Sequence, residues 1–290
     1  MSRRPLRQLY GSDHHVALAG LAPPAASFRR HRGRFLQALE SLTDDEWART
    51  TRCDAWDAKD VVRHLVSADR FWALTLQERG RDEPTTYLRG FDPTTTPEDI
   101  IASQRHEGPR EALDALSGST EQLGAALAAV GDDEWSLVSE SPFGHVPVRV
   151  IAAHALWDSW LHERDVLLPL GRTVPVEEDE LLTATAFSLV FGGAQGGLLD
   201  DAEAIGEGPD APIGATLSFD DLPGRSLQVR IDRDVTVEAL AADGHAIPGG
   251  SALELVEAVT GRRPAERALE RLPADLAAQL ARACRILEVQ

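Results

Sequence analysis

The chain has 290 residues, 43% of them apolar and 26% charged, the mix of a folded globular protein with enough apolar material for a large core. Its formal net charge of -18 argues against phosphate backbones and anionic lipid surfaces as principal partners. Two distant cysteines, Cys53 and Cys284, make neither a disulfide framework nor a CxxC pair, so a reducing, cytoplasmic setting is expected; no run of about 20 apolar residues suggests a membrane span.

Residues 1–25 read as an irregular leader that ends in Pro23-Pro24. Its basic residues Arg3, Arg4 and Arg7 precede no apolar run, so it is not read as a secretory signal. A helix is expected from near Ala26 to Ser41, where Phe28, Phe35, Leu36 and Leu39 recur at helical spacing. Thr43 and Glu46 have the spacing of a capping box. The segment Cys53–Asp60 leads into a second helix that carries Val61, Val62, Leu65, Val66, Phe71 and Trp72. A Pro-, Gly- and Thr-rich stretch, 80–97, interrupts the pattern, and a third helix is expected over 97–129, stopped by Gly131. A fourth begins after Pro147 and ends at Gly171; another spans 176–190 and is followed by Gly192, Gly193, Gly196 and Gly197.

The texture changes near residue 209. Residues 213–219, 226–231 and 235–239 read as short strands, the first two joined by the turn Asp220–Gly224. Helices are expected over 251–260 and 273–287. The fold class predicted is α plus α+β: a helical bundle over 26–205 followed by a smaller α+β domain over 206–290.

The polar residues that carry chemistry are few. His64, His154 and His162 lie on predicted helices among apolar neighbours, unlike the other six histidines. His154, Asp158 and His162 stand at i, i+4 and i+8. Residues four apart stack on one helical face, with Cβ atoms about 5–6 Å apart, and can share an ion at bonds of about 2.0–2.2 Å. Residues eight apart lie about 12 Å apart along the axis. The pair is therefore His154/Asp158 or Asp158/His162, and the third arm comes from another helix, where His64 is the candidate. Two histidines and a carboxylate, with positions left open, make a catalytic metal pattern rather than a closed structural one. The plainer alternative is that these are core histidines with ordinary hydrogen-bond partners.

The segment Arg52-Cys53-Asp54-Ala55-Trp56-Asp57-Ala58-Lys59-Asp60-Val61-Val62-Arg63-His64-Leu65 resembles the opening motif of the mycothiol-dependent maleylpyruvate isomerase family, of the DinB-like metalloenzyme superfamily. Asp158-x-x-x-His162-x-x-Asp165 resembles that family's second motif, which has Glu in place of Asp158. The resemblance implies a four-helix bundle with a metal, usually zinc, held by His64, Asp158 and His162, and so favours Asp158/His162. It gives Asp165 a supporting place behind the ligands. It implies a sterol-carrier-like α+β domain downstream, with Val259-Thr260-Gly261-Arg262-Arg263-Pro264 matching a late Gly-Arg element. Arg262 is then the candidate to face the site and hold a substrate or cofactor carboxylate, and His154 is the candidate to move a proton. The expected protein is a metal-dependent enzyme of the thiol-transferase or isomerase type. It would use mycothiol or another small thiol on a small electrophilic substrate, as a monomer or homodimer. A metal-dependent hydrolase or lyase, and a non-enzymatic small-molecule-binding protein, are the alternatives.

Overall fold

The structure is a computed structural model that describes residues 15–83, 85–92, 95–142, 144–195, 211–232 and 234–287. In chain order, strand β1 (His15–Ala19) precedes helices α1 (Ala25–Glu40), α2 (Asp44–Trp47), α3 (Ala58–Gln77), α4 (Thr96–Gln104) and α5 (Pro109–Ala128). The hairpin β2 (Val138–Ser141) and β3 (Gly144–Pro147) leads into α6 (Val148–Leu167) and α7 (Glu178–Gln195). Strands β4 (Ile213–Ser218), β5 (Arg225–Ile231), β6 (Asp234–Ala241) and β7 (Ile247–Pro248) follow, then α8 (Ala252–Val259), α9 (Ala265–Leu269) and α10 (Ala274–Leu287). The molecule is thus mixed, a helical bundle with a five-stranded sheet of order β1-β6-β5-β4-β7.

The helical bundle is built on α1, α3, α5 and α6, with α7 packed against α6. Within it, α6 is the central shaft: 17 of its 20 residues are buried. Its last turn carries Glu163, Arg164 and Asp165, all inside the protein. Successive helical residues turn by about 100°, so the three charges face three directions, and each must find a partner there. Glu163 accepts from two nitrogens of Arg34 on α1, Nε at 2.9 Å and a terminal nitrogen at 2.8 Å. Arg164 lies over the Trp160 ring, 4.5 Å from its centroid, and 3.8 Å from Glu257 of α8. Asp165 meets Arg262, just beyond α8.

The expected third helix is two helices. Gly108 is extended and Pro109 occupies the first turn of α5; proline lacks the N–H that a continuous helix needs. The capping box at Thr43 and Glu46 forms.

Two expectations about domain limits need correction. The leader was expected to be irregular, yet His15–Ala19 form β1, parallel to β6, with Val16 and Leu18 in the core. Residues 1–14 lie outside the described residues, as does the expected boundary at 205/206. Gly20 ends β1 at φ +71°, and a Cβ there would stand 1.9 Å from the Ala239 oxygen, so only glycine lets the chain leave the sheet so closely. Helix α7, assigned above to the bundle, also packs on β1, β6, α8 and α10. One apolar core runs from Phe28 and Trp160 through Phe187 to Val229, Val237 and Leu280, so the two halves share an interior. Gly192 and Gly193 have a packing role in this seam. A Cβ on Gly192 would meet Leu280 at 2.4 Å, and one on Gly193 would meet Val235 at 2.8 Å.

Candidate metal centre

The site lies where the turn before α3, the middle of α3 and the C-terminal half of α6 converge. The turn is closed by Trp56 N–H donating to the Cys53 carbonyl at 2.8 Å and Thr51 N–H donating to the Trp56 carbonyl at 3.1 Å. Asp57 then caps α3 by accepting from Asp60 N–H at 2.9 Å. These contacts fix Cys53 and Trp56 beside the helix face that carries His64.

The structure brings His64, Asp158 and His162 together. Asp158 Oδ1 is 3.4 Å from His64 Nε2 and 3.4 Å from His162 Nε2. The two imidazoles stand edge to face with centroids 4.9 Å apart, and all three donor atoms lie within 4.8 Å of one another. Nitrogen and oxygen ligands at about 2.0–2.1 Å from a tetrahedral ion sit about 3.3 Å apart. The donor spacing therefore suits one ion without rearrangement of the backbone. His64 and Asp158 keep 20% and 16% of their side-chain exposure, against 8% for His162, so the centre is open on the His64 side. The Trp56 ring forms a wall, 5.2 Å from His64 and 6.2 Å from His162, and its indole N–H is held by Glu98 of α4 at 3.0 Å.

The electrostatics favour a cation here. Burial works against charge on Asp158, but His64 and His162 outweigh it and hold the carboxyl well below its ordinary range. Burial also works against a charged His162, yet its bonds to Asp158 and Asp165 raise it well above an ordinary imidazole.

Behind His162 lies a second group. His162 Nδ1 donates to Asp165 Oδ2 at 3.0 Å. This contact orients the ring so that Nε2 faces Asp158 Oδ1 at 3.4 Å, the arrangement that presents Nε2 to an ion once its proton leaves. Arg262 donates to the same carboxylate through Nε at 2.9 Å and a terminal nitrogen at 2.6 Å, while its other terminal nitrogen donates to the Thr260 carbonyl at 2.9 Å. Local geometry delivers it. Helix α8 ends in a Schellman motif, with Gly261 N–H donating to Ala258 O at 3.1 Å and Arg262 N–H to Glu257 O at 2.8 Å. Gly261 at φ +71° turns the chain back toward α6. Burial opposes the Asp165 charge, but Arg262 and His162 keep the carboxyl far below its ordinary range.

His154 is not in either donor group. Its ring stacks on Phe187 at 4.6 Å and lies 4.7 Å from Trp72 and 5.6 Å from Trp157. Burial among these rings lowers its pKa to about 4. Cys53, which sequence reasoning took only as part of a motif, stands at the site: its thiol lies 3.4 Å from Asp165 Oδ2 and 3.9 Å from His162 Nδ1. Its place depends on the turn at Cys53–Trp56, which spacing alone does not reveal.

A four-helix core with an open His/Asp/His centre, joined to a small sheet, is the class of protein that fold and site define. Residues 28–167 match the family described as mycothiol maleylpyruvate isomerase N-terminal domain. Two solved structures share the fold, a mycothiol-dependent maleylpyruvate isomerase and a histidine-to-alanine mutant of such an enzyme. They are 17% and 16% identical to this chain, each with a TM-score of 0.55, and the alignments cover 82% of this chain and 88% of theirs. No curated protein matches this sequence. Among the described residues, no helix is long and apolar enough to cross a membrane.

Proposed function

We propose that His64, Asp158 and His162 hold one divalent metal ion, zinc by the nature of the donors, in a thiol-dependent isomerase or transferase acting on a small electrophilic molecule. The observation that carries this reading is the donor triangle, with both imidazole nitrogens 3.4 Å from one carboxylate oxygen. A bound ion of this kind lowers the pKa of a thiol, so that mycothiol or a similar small thiol reacts as thiolate near neutral pH. The chain's own residues arrange the rest. Asp165 orients His162, and Arg262 holds Asp165 in place. Trp56 limits the space beside the centre and excludes water from one side. With a pKa of about 4, His154 is a neutral imidazole near pH 7 and fills the aromatic box rather than donating a proton. Arg262 reaches a substrate carboxylate only by giving up contacts to Asp165, so its part in this reading is positional.

Elemental analysis of the purified protein beside H64A, D158A and H162A tests the ligand set. The native chain is expected to carry about one ion, and each variant to lose most of it. Full metal in H64A would remove His64 from the set. Activity that persists without any thiol would instead favour metal-assisted hydrolysis. A carrier of apolar ligands finds little support, because α7 presses so closely on α10 and the sheet at Gly192 and Gly193. Free Cys53 and Cys284 suit a reducing cytoplasm.

A further inference from the structure

Cys53 Sγ, His162 Nδ1 and Asp165 Oδ2 form a second donor group, with all three atoms within 4.8 Å of one another. Their separations are 3.9 Å for sulfur to nitrogen, 3.4 Å for sulfur to oxygen and 3.0 Å for nitrogen to oxygen. A tetrahedral ion with sulfur at about 2.3 Å and nitrogen or oxygen at about 2.0 Å spaces such donors by about 3.3–3.6 Å. The group therefore comes within about 0.3 Å of a metal tripod's spacing at every pair. It uses the opposite nitrogen of the imidazole that belongs to the His64–Asp158–His162 centre, so an ion there releases the Cys53 thiol proton and the His162 Nδ1 proton to solvent, and His162 then bridges two ions as imidazolate. A cation already lies against it: a terminal nitrogen of Arg262 is 2.6 Å from Asp165 Oδ2 and 3.8 Å from Cys53 Sγ.

We infer that Cys53, His162 and Asp165 are a second, thiolate-bearing metal tripod, and that the Arg262 guanidinium occupies it as a built-in cation that limits the centre to one ion. The Asp165 side chain is fully buried, and a buried carboxylate demands a cationic or strongly donating partner. Without Arg262 its remaining neighbours of that kind are His162, with Nδ1 at 3.0 Å, and Arg52, at 3.5 Å and already bound to Glu257 at 2.9 Å. The cage would then lack one positive charge, and a thiophilic divalent ion supplies it. The entrance is the space the guanidinium leaves, since Arg262 keeps 15% side-chain exposure and Cys53 is half-buried. Arg262 thereby excludes an ion that would tie up His162 Nδ1 and pull it off Asp165.

The test is Co2+ loading followed by dialysis, with metal content and the sulfur-to-metal charge-transfer band as readouts. The wild type is expected to take one ion without that band. R262A and the similarly sized R262M are expected to take one ion more, with the band; adding C53S to either removes both the extra ion and the band. R262K keeps a cation and should match the wild type. Folded R262A or R262M with wild-type metal content and no band would overturn the inference, as would a second ion in R262K. The inference is separable from the His64-centred reading. If that centre holds no metal, the wild type takes none and R262M takes one, still with the band.

Discussion

His162 is held from both sides, and this decides what each neighbouring residue contributes. Nε2 faces Asp158 at 3.4 Å and Nδ1 donates to Asp165 at 3.0 Å. Removing the charge of a carboxylate behind a ligating imidazole typically costs 10–100-fold in metal affinity. Asp165→Asn should therefore weaken metal binding by about 10–100-fold, with full loading recovered at high metal concentration; unchanged affinity in competition with a chelator would contradict this. Glu163, one residue along, serves stability. Burial would raise its pKa, but Arg34 and His31 outweigh burial and bring it from 4.5 to about 2. A depressed carboxylate stabilises the fold above its unfolded value and loses that contribution as pH falls through its folded value. The gap is worth roughly 3 kcal/mol at about 1.36 kcal/mol per unit. Glu163→Gln should lower stability at neutral pH and flatten the acid limb between about pH 4.5 and 2. Urea titrations that gave the two proteins the same slope over that window would contradict the assignment.

At the level of elements, packing overrides propensity in α7. Replacing a helical glycine by alanine normally gains about 1 kcal/mol. At Gly193 a Cβ would lie 2.8 Å from Val235 and 3.1 Å from Ile231, and such overpacking costs about 1–3 kcal/mol. Gly193→Ala should therefore be neutral to destabilising by up to about 2 kcal/mol in thermal unfolding, and a stabilised variant would show that the seam is loose. Features governed by neighbours in the chain were legible from residue order. The Thr43–Glu46 cap, the β4–β5 hairpin and the start of α6 after Pro147 all follow local rules. The pairing of Asp158 with His162 was legible only once resemblance had chosen it over His154. Strand β1 was not, because five residues gain strand character only by lying beside β6, more than 200 positions away. The same holds at the site. Spacing alone does not show that Cys53 closes a turn onto Asp165, or that Gly261 aims Arg262 at the same carboxylate.

For the whole molecule, the order β1-β6-β5-β4-β7 means that the N-terminal strand completes a sheet made otherwise of C-terminal residues. The apolar core crosses from the bundle to the sheet through α7. The full chain should then unfold in a single transition, coincident by tryptophan fluorescence and by circular dichroism. Residues 26–205 expressed alone would leave the sheet-facing side of α7 bare and should aggregate or lack a cooperative transition; a well-folded, monomeric fragment would show that the shared core is dispensable. The same connection brings Arg262 from the C-terminal half to Asp165, so an intact centre depends on both halves. X-ray absorption of the zinc-loaded native protein tests the central claim most directly. Ligation by His64, Asp158 and His162 predicts nitrogen and oxygen neighbours at about 2.0–2.1 Å with imidazole scattering and no sulfur. A sulfur neighbour at about 2.3 Å would place the ion on Cys53 instead and contradict the account.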